Sequence, residues 1–337
     1  MKHTLETIAK LAGVSRGTVS RVINGQPGVK PASRERVLRI IDETGYYPNA
    51  QARSLAGGRT HNIGVVFFGQ QANVLTHHLF YEVLQSIQSY SAANAYDLLL
   101  FANRRDSDQE YWKRIGDRGK VDGLIIMGEH IEEQYLTYYR ERNIPFVLIG
   151  KRIFDELPLI CVTSDYRSGA YEAVKHLIQQ GRKQIAYIQG IQGAYHETER
   201  LAGYRQALEE AGIAFQSELL LGGDAEEEKA RQETDRLLLN KQKIDAIFAG
   251  NDLMAFGAMA ALRKHGIKIA KDVSVVGYDD IQLAAYHHPA LTTVRQDKRR
   301  LGQEAISLLL EVIDGKLELD ERKDVLIASD LIIRESS

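Results

Sequence analysis

The chain has 337 residues, 44% of them hydrophobic, with a net charge of −2 and a single cysteine. That length points to a small head on a body of about two subdomains, with enough apolar residues to bury real cores. Cys161 lies in the apolar run ICV, has no second cysteine to pair with, and reads as a core residue rather than a nucleophile. No run of about 18 apolar residues suggests a membrane span, and MKHTLETIAK lacks the apolar stretch of a signal peptide. A soluble cytoplasmic protein is expected.

The first element is Leu5 to Asn24, LETIAKLAGVSRGTVSRVIN. Ile8, Ala9 and Leu11 are expected to form one apolar face. Gly13 permits a tight corner, and Ser15 suits the N-cap of a second helix because its hydroxyl can accept a backbone N–H. Val19, Val22 and Ile23 can then pack inward, which leaves Arg16, Gly17, Ser20, Arg21 and Asn24 on other faces. This is the pattern of a helix-turn-helix whose second helix enters the DNA major groove. Residues 1–60 hold ten Lys/Arg and four Asp/Glu, a net of +6, so the remainder carries −8. A basic head on an acidic body divides the labour: the head meets phosphates and the body does not. Charge alone would equally fit a solvated basic face. Charge with the turn pattern favours DNA.

A third helix is expected over Ser33 to Thr44. The stretch PNAQARSLAGGR, Pro48 to Arg59, starts with a residue suited to opening a helix and ends on Gly57-Gly58. About eight helical residues are too few to be stable alone in water. The segment is either a flexible linker or one that folds only on DNA or a second copy of itself.

Beyond His61, short apolar runs alternate with helical stretches. Eleven strands are expected, over 63–68, 96–101, 122–127, 145–150, 159–164, 184–190, 218–223, 245–250, 273–278, 291–295 and 325–329. Such alternation argues for parallel sheets covered on both faces. Two sheets of five or six strands match ordinary sizes better than one of eleven. Two Rossmann-like lobes offer a cleft, and ligands in open α/β sheets sit at the carboxyl ends of strands. Arg200, Asn251, Asp279, Asp280, Gln296 and Asp297 all lie just past such ends. Carboxylates and amides suit hydroxyl groups, and an arginine fork clamps neighbouring oxygens. Asp and Asn after a strand can also simply cap the next helix, and Asp165 and Asp252 are assigned to that role.

AKLAGVSRGTVSRVING followed by GYYPNAQARSLAGGRT resembles the amino-terminal domain of the LacI/GalR (lactose and galactose repressor) family. The blocks VTSDYRSGAYEAVKHLIQQGRKQIAYIQG, AIFAGNDLMAFGAMAAL, VSVVGYDD and PALTTVRQDKRRLGQEA extend the resemblance over essentially the whole chain. The resemblance implies a small all-α helix-turn-helix head plus two α/β Rossmann-like lobes, a body like that of periplasmic sugar-binding proteins. It implies a DNA-binding domain over 1–47 and a hinge helix and linker over 48–60. The amino-terminal effector lobe would span 61–163 plus 296–325, and the carboxyl-terminal lobe 164–295 plus 326–337.

The implied function is a sequence-specific transcriptional regulator, a repressor of carbohydrate-utilisation genes, controlled by a sugar or sugar derivative held between the lobes. Its partners would be double-stranded operator DNA, that effector, and a second copy of the chain, with no cofactor and no metal. No apolar heptads follow DLIIRESS, so the assembly is expected to stop at a dimer. DNA contacts carry over to Ser15, Arg16, Gly17, Thr18, Ser20, Arg21 and Asn24 in the head, and to Asn49, Ala52, Arg53 and Leu55 in the hinge. There Leu55 would wedge between base steps in the minor groove. Effector contacts carry over to Phe80, Arg200, Asn251, Asp279 and Gln296.

The chain departs from the family at two places where an aromatic ring often meets the ligand: Ala225 and Lys298 stand there instead. Stacking then falls to Phe80 or Tyr81, or the ligand is not a pyranose. Lys151 and Arg152, after PFVLIG, either face the cleft and read an anionic ligand or form a solvated lip. His77-His78 lacks partners at metal spacing, His287-His288 reads as a loop, Glu226 to Glu228 as a solvated helix start, and Trp112 as partly buried packing. The alternative is a cytoplasmic α/β sugar-modifying enzyme, such as a sugar kinase or an NAD-dependent dehydrogenase. GxxxxGK[ST], GxGxxG and HExxH are absent from the sequence, and there is no GxSxG elbow: the spelling GVSRG at 13–17 falls at the corner of the helix-turn-helix, not after a strand. A periplasmic transport protein fits poorly with the DNA-binding head.

Overall fold

The computed structural model describes residues 4–23, 26–46, 59–68, 78–102, 111–115, 120–128, 131–154 and 157–337. Asn24 and the hinge positions Asn49, Ala52, Arg53 and Leu55 lie outside the described residues.

The head is three helices: α1 (Leu5–Ala12), α2 (Arg16–Ile23) and α3 (Pro31–Thr44). Thr4 caps α1 by accepting from Thr7 N at 3.3 Å, and Gly13 closes it at φ +62°. Ser15 Oγ accepts from Thr18 N at 3.1 Å and so caps α2. The third helix begins two residues before its expected start, with Pro31 in its first turn, where a missing N–H costs nothing. Ile8, Ala12, Val19, Val22, Val37 and Tyr46 form the core. Leu11 departs from expectation and is 55% exposed. Stepping about 100° per residue groups Leu5, Ile8, Ala9 and Ala12 on one face and carries Leu11 past its edge.

The body is built on two six-stranded sheets. The first contains β1 (Asn62–Phe68), β2 (Asp97–Ala102), β3 (Gly123–Gly128), β4 (Phe146–Ile149), β5 (Ile160–Ser164) and β11 (Lys323–Ile327), in the order β11-β5-β4-β3-β1-β2, all parallel. The second contains β6 (Ile185–Gln189), β7 (Leu220–Gly222), β8 (Ala246–Ala249), β9 (Ser274–Asp279), β10 (Thr292–Gln296) and β12 (Ser329–Ile332), in the order β12-β10-β9-β8-β6-β7. It is parallel except for β12, which runs antiparallel to β10. The sequence pattern predicts no separate strand at β12. Its burial alternates weakly and Asp330 interrupts its apolar run, so the hydrophobic signal of an edge strand is faint.

Helices between the strands are α4 (His78–Ala93), α5 (Tyr111–Ile115), α6 (Glu133–Glu141), α7 (Tyr166–Gln179), α8 (Tyr195–Glu210), α9 (Glu227–Leu239), α10 (Asp252–Lys264), α11 (Gln282–Tyr286) and α12 (Lys298–Ile313). The chain passes from one sheet to the other after Ser164, after Gln296 and after Ile327. Although α12 follows a strand of the second sheet, its Leu301, Ala305 and Leu309 pack into the core of the first with Ile63, Ile125 and Val162. Two clusters lie on the second sheet, one under α7 and α8 and one under α9 and α10. The α7–α8 contact is close: a Cβ at Gly203 would stand 2.2 Å from Arg167 O.

Candidate functional site

On the head, Ser15, Arg16, Gly17 and Arg21 are exposed, Thr18 and Ser20 are half-buried, and Val19 and Val22 face inward. Arg16 has only a loose exposed ion pair, 3.8 Å from Glu6. A Cβ at Gly17 would meet nothing closer than Ser15 Oγ at 3.8 Å, and the position has no positive φ. Among the described residues nothing in the head demands glycine there.

The second candidate site is a cavity of about 100 Å³ between the two lobes of the body. Phe80, Arg200, Asn251, Asp279 and Gln296 all line it. Its floor is built from strand ends. Asp279 ends β9 at φ +108°, a strained backbone for a residue with a Cβ. Its Oδ1 accepts from Gln296 Nε2 at 2.6 Å, and Gln296 Oε1 accepts from Ser164 Oγ at 2.7 Å. This relay ties the ends of β9, β10 and β5, and so both sheets, at the bottom of the cleft. Burial pushes the Asp279 carboxyl above its usual range, while Arg200 and the Gln296 hydrogen bond pull the other way.

Arg200 projects from α8 and is 6% exposed. Its guanidinium lies 4.2 Å over the Tyr278 ring and 5.1 Å from that of Tyr166, a cation–π setting. Nη1 is 3.5 Å from Glu197 Oε2 and Nη2 is 3.8 Å from Asp279 Oδ1. Nε is buried without a hydrogen-bond partner. Glu197, 1% exposed, also accepts from the Tyr187 hydroxyl. Gly190 and Gly250, each just past a strand, make room for it: Cβ atoms there would fall 2.8 and 3.2 Å from Oε2.

The cap expected at Asp252 falls on Asn251, which also lines the cavity. Asn251 is the N-cap of α10, with Oδ1 accepting from Met254 N at 2.7 Å, while its Nδ2 donates to Ala225 O at 3.3 Å. Asp252 is the first helical residue and 1% exposed; it accepts from Ile281 N at 2.8 Å and from the Thr293 hydroxyl. It braces the turn after β9. Burial, and then the Asp279 charge, push its carboxyl well above the usual range. Asp165 does cap α7, accepting from Ser168 N at 3.0 Å.

Phe80 packs edge-on against Phe67 at 4.6 Å and lines the cavity, whereas Tyr81 is 55% exposed and does not. Lys298 is not in the lining. Its buried ammonium donates to Glu82 Oε1 and to Asp280 O, both at 2.9 Å. Asp280 is itself held by Arg295 and Arg334 at 2.7 and 2.6 Å. Lys151 pairs with Asp324 at 2.6 Å, and its neighbour Arg152 enters the lining. Tyr166, His196 and Thr163 also line the cavity and were not singled out in the sequence. For His196 the signal was available: it precedes Arg200 by four residues, the spacing that places two side chains on one helix face. Cys161 is buried, and burial raises its thiol to about 11, as a core residue requires.

A capped helix-turn-helix followed by two lobes around a polar cavity defines a ligand-responsive DNA-binding regulator. Residues 4–49 match the family described as bacterial regulatory proteins, lacI family, and residues 174–337 match a periplasmic binding protein-like domain. The HTH-type transcriptional repressor PurR of Photobacterium profundum is 34% identical over 99% of this chain and 98% of its own length. Among solved structures, a transcriptional regulator CelR–cellobiose complex is 32% identical with a TM-score of 0.75, covering 99% of this chain and 100% of its own. A lac repressor dimer bound to operator and the anti-inducer ONPF is 28% identical with a TM-score of 0.85, covering 100% of this chain and 99% of its own. The chain belongs to the lacI family of bacterial regulatory proteins. It is a DNA-binding transcriptional regulator, in a family of regulators rather than enzymes. Among the described residues no helix is long and apolar enough to cross a membrane.

Proposed function

We propose that the protein is a cytoplasmic, nucleoid-associated repressor of carbohydrate-utilisation genes that binds a pseudo-palindromic operator as a homodimer. Its operator affinity is set by a sugar or sugar derivative bound between the lobes. The observation that carries this reading is the gathering of Phe80, Arg200, Asn251, Asp279 and Gln296, drawn from positions 80 to 296, around one cavity. Arg200, Asp279 and Gln296 supply donors and acceptors for hydroxyls, and Phe80 an apolar wall. Asn251 has committed its side-chain oxygen to its helix and one N–H to Ala225 O, so its second N–H is the group that meets ligand.

In the head, Arg16 and Arg21 read base edges, Gly17 lets the backbone approach, and Ser15, Thr18, Ser20 and Asn24 contact the duplex around them. Asn49, Ala52, Arg53 and Leu55 form the hinge contact in the minor groove. At about 100 Å³ the cavity is smaller than the roughly 300–1,000 Å³ common for small-molecule pockets, so a sugar enters by parting the lobes. Relatives support both partners: one solved neighbour is a cellobiose complex and another a dimer on its operator.

The test is a gel shift on DNA upstream of the chain's own gene and its neighbours, with and without a sugar panel, beside a thermal-shift screen of the same panel. Specific retardation that a stabilising sugar alters is expected. Retardation that is indifferent to every stabilising compound overturns the effector part alone.

A further inference from the structure

Arg200 stands between two buried carboxylates that do different things. Asp279 lines the cavity and faces Nη2 at 3.8 Å. Glu197 is not among the described lining residues, and its Oε2 accepts from Nη1 at 3.5 Å. It sits behind the cavity floor. Gly190 and Gly250 line the cavity just past β6 and β8, and a Cβ at either would crowd Glu197 Oε2. Glu197 is itself held. Its Oε1 accepts from the hydroxyl of Tyr187, whose ring is fully buried and stacked on Phe248 at 4.9 Å.

The gap between Arg200 and Asp279 needs a cause. A guanidinium and a carboxylate shielded from water favour closure to about 2.7–2.9 Å, in two parallel hydrogen bonds. Side-on closure through Nη2 and Nε would also give Nε an acceptor, and Nε is buried without a hydrogen-bond partner. The rings of Tyr278 and Tyr166 attract the guanidinium through their faces, which does not stop a slide towards Asp279. Glu197 supplies the opposing pull. Burial opposes the Arg200 charge, but Glu197 first and Asp279 second more than make up for it, so the guanidinium pKa is raised. Glu197 is thus the nearer carboxylate and the stronger attractor.

We propose that Glu197 is a positioning residue for the effector: it holds Arg200 back from Asp279 and so keeps that pair open for a ligand hydroxyl. Without it Arg200 and Asp279 close on each other, and a ligand must break their bond before making its own. This inference rests on reading the cleft as the effector site. It adds the residue behind the wall that keeps the site receptive.

The test is Glu197→Gln in the full-length protein. The amide keeps an oxygen for Tyr187 but turns an N–H towards Nη1, which pushes Arg200 the same way. Closure of the remaining ion pair should keep the urea midpoint level or raise it. Affinity should move in the opposite direction. By calorimetry, whichever of D-glucose, D-galactose, D-ribose and cellobiose binds the parent should bind the variant about tenfold or more weakly. A crystal structure of the ligand-free variant should bring Arg200 Nη2 and Asp279 to within about 3 Å. A merely structural Glu197 would lower midpoint and affinity together and leave the pair apart, which overturns the proposal. Unchanged affinity also overturns it and leaves the effector reading standing. If Glu197→Gln does not fold, Glu197→Met, which sets no N–H against Nη1, decides by the same three readings, and failure of both to fold overturns the proposal. If none of these sugars binds the parent, the sugar reading falls, and the crystal distance alone decides whether Glu197 holds Arg200 back.

Discussion

Arg200 Nη2 and Asp279 Oδ1 stand 3.8 Å apart, attracted but too distant for a hydrogen bond, and that oxygen already accepts from Gln296 Nε2 at 2.6 Å. The pair is thus held close without being closed on itself. A ligand hydroxyl placed between them can accept from the guanidinium and donate to the carboxylate. Asp279→Ala should therefore cost at least tenfold in effector affinity. A hydrogen bond to a charged group contributes about 1.5–3 kcal/mol, and 1.4 kcal/mol is about one decade. Ligand-free operator binding should stay within about threefold of the parent, because the DNA contacts belong to the head. Calorimetry beside a gel shift checks both. Undiminished effector affinity in the variant means the site has been misplaced.

Gly17→Ala separates stability from DNA binding. Glycine in a helix costs roughly 0.5–1 kcal/mol relative to alanine, and the added methyl meets only Ser15 Oγ at 3.8 Å. The head should melt at the same or a slightly higher temperature while operator affinity falls by about tenfold or more. If affinity is unchanged, the backbone at Gly17 does not approach the duplex closely.

Gly203→Ala should loosen the second lobe. The new methyl would lie 2.2 Å from Arg167 O, a backbone atom that cannot swing aside. Overpacking of this kind typically costs about 1–3 kcal/mol. Urea unfolding of the variant should show a lower midpoint, whereas Gly222→Ala, with nothing within 4 Å of its Cβ, should not.

His196 gives the fold a pH dependence of known sign. Its folded-state pKa is depressed below the ordinary 6.5 by burial and by Arg200 and Arg152. The unfolded chain therefore takes up a proton below about pH 6.5 before the folded one does. Stability from this group is fully present above that pH and is lost as pH falls, by up to about 1.4 kcal/mol per unit. His196→Gln should lose stability less steeply than the parent between pH 7 and pH 5. Parallel unfolding curves for the two proteins across that range would falsify the assignment. His176 and His287 are depressed by burial as well, and the comparison with the variant cancels them.

Much of the body was legible because its parallel strands are apolar on both faces and read as short continuous runs. β12 escaped because an edge strand with Asp330 in it carries little of that signal. Leu11 was misplaced because one short helix offers two plausible apolar stripes and only the packing of α2 and α3 chooses between them. At the cleft, Arg200, Asn251, Asp279 and Gln296 were singled out by their positions after strands, and the resemblance assigned them to the ligand. Tyr166 was missed because it opens its helix as an ordinary packing aromatic, and His196 because its spacing of four from Arg200 carries meaning only once Arg200 is placed in the cleft. Arg152 was seen but left between two roles, since nothing in GKR says which way a side chain turns. That the cap is Asn251 and not Asp252 could not be read from two adjacent polar residues, because a one-residue shift of the helix start decides it.

The interleaving of the two sheets bears on how the protein is made. β5 cannot gain its neighbour β11 until some 160 further residues have been synthesised, since Lys323 pairs with Ile160. The second sheet is in the same position. The hydroxyl of Ser336 accepts from Thr292 N at 2.8 Å and donates to Val275 O at 2.6 Å, deep in that lobe. A nascent chain on the ribosome can therefore finish its head early but leaves the edges of both lobes open until the residues of β11 and β12 have emerged. Contacts of such long separation are slow to form and expose sticky edges while they wait. A stop codon anywhere before the last strands would spoil not one lobe but both.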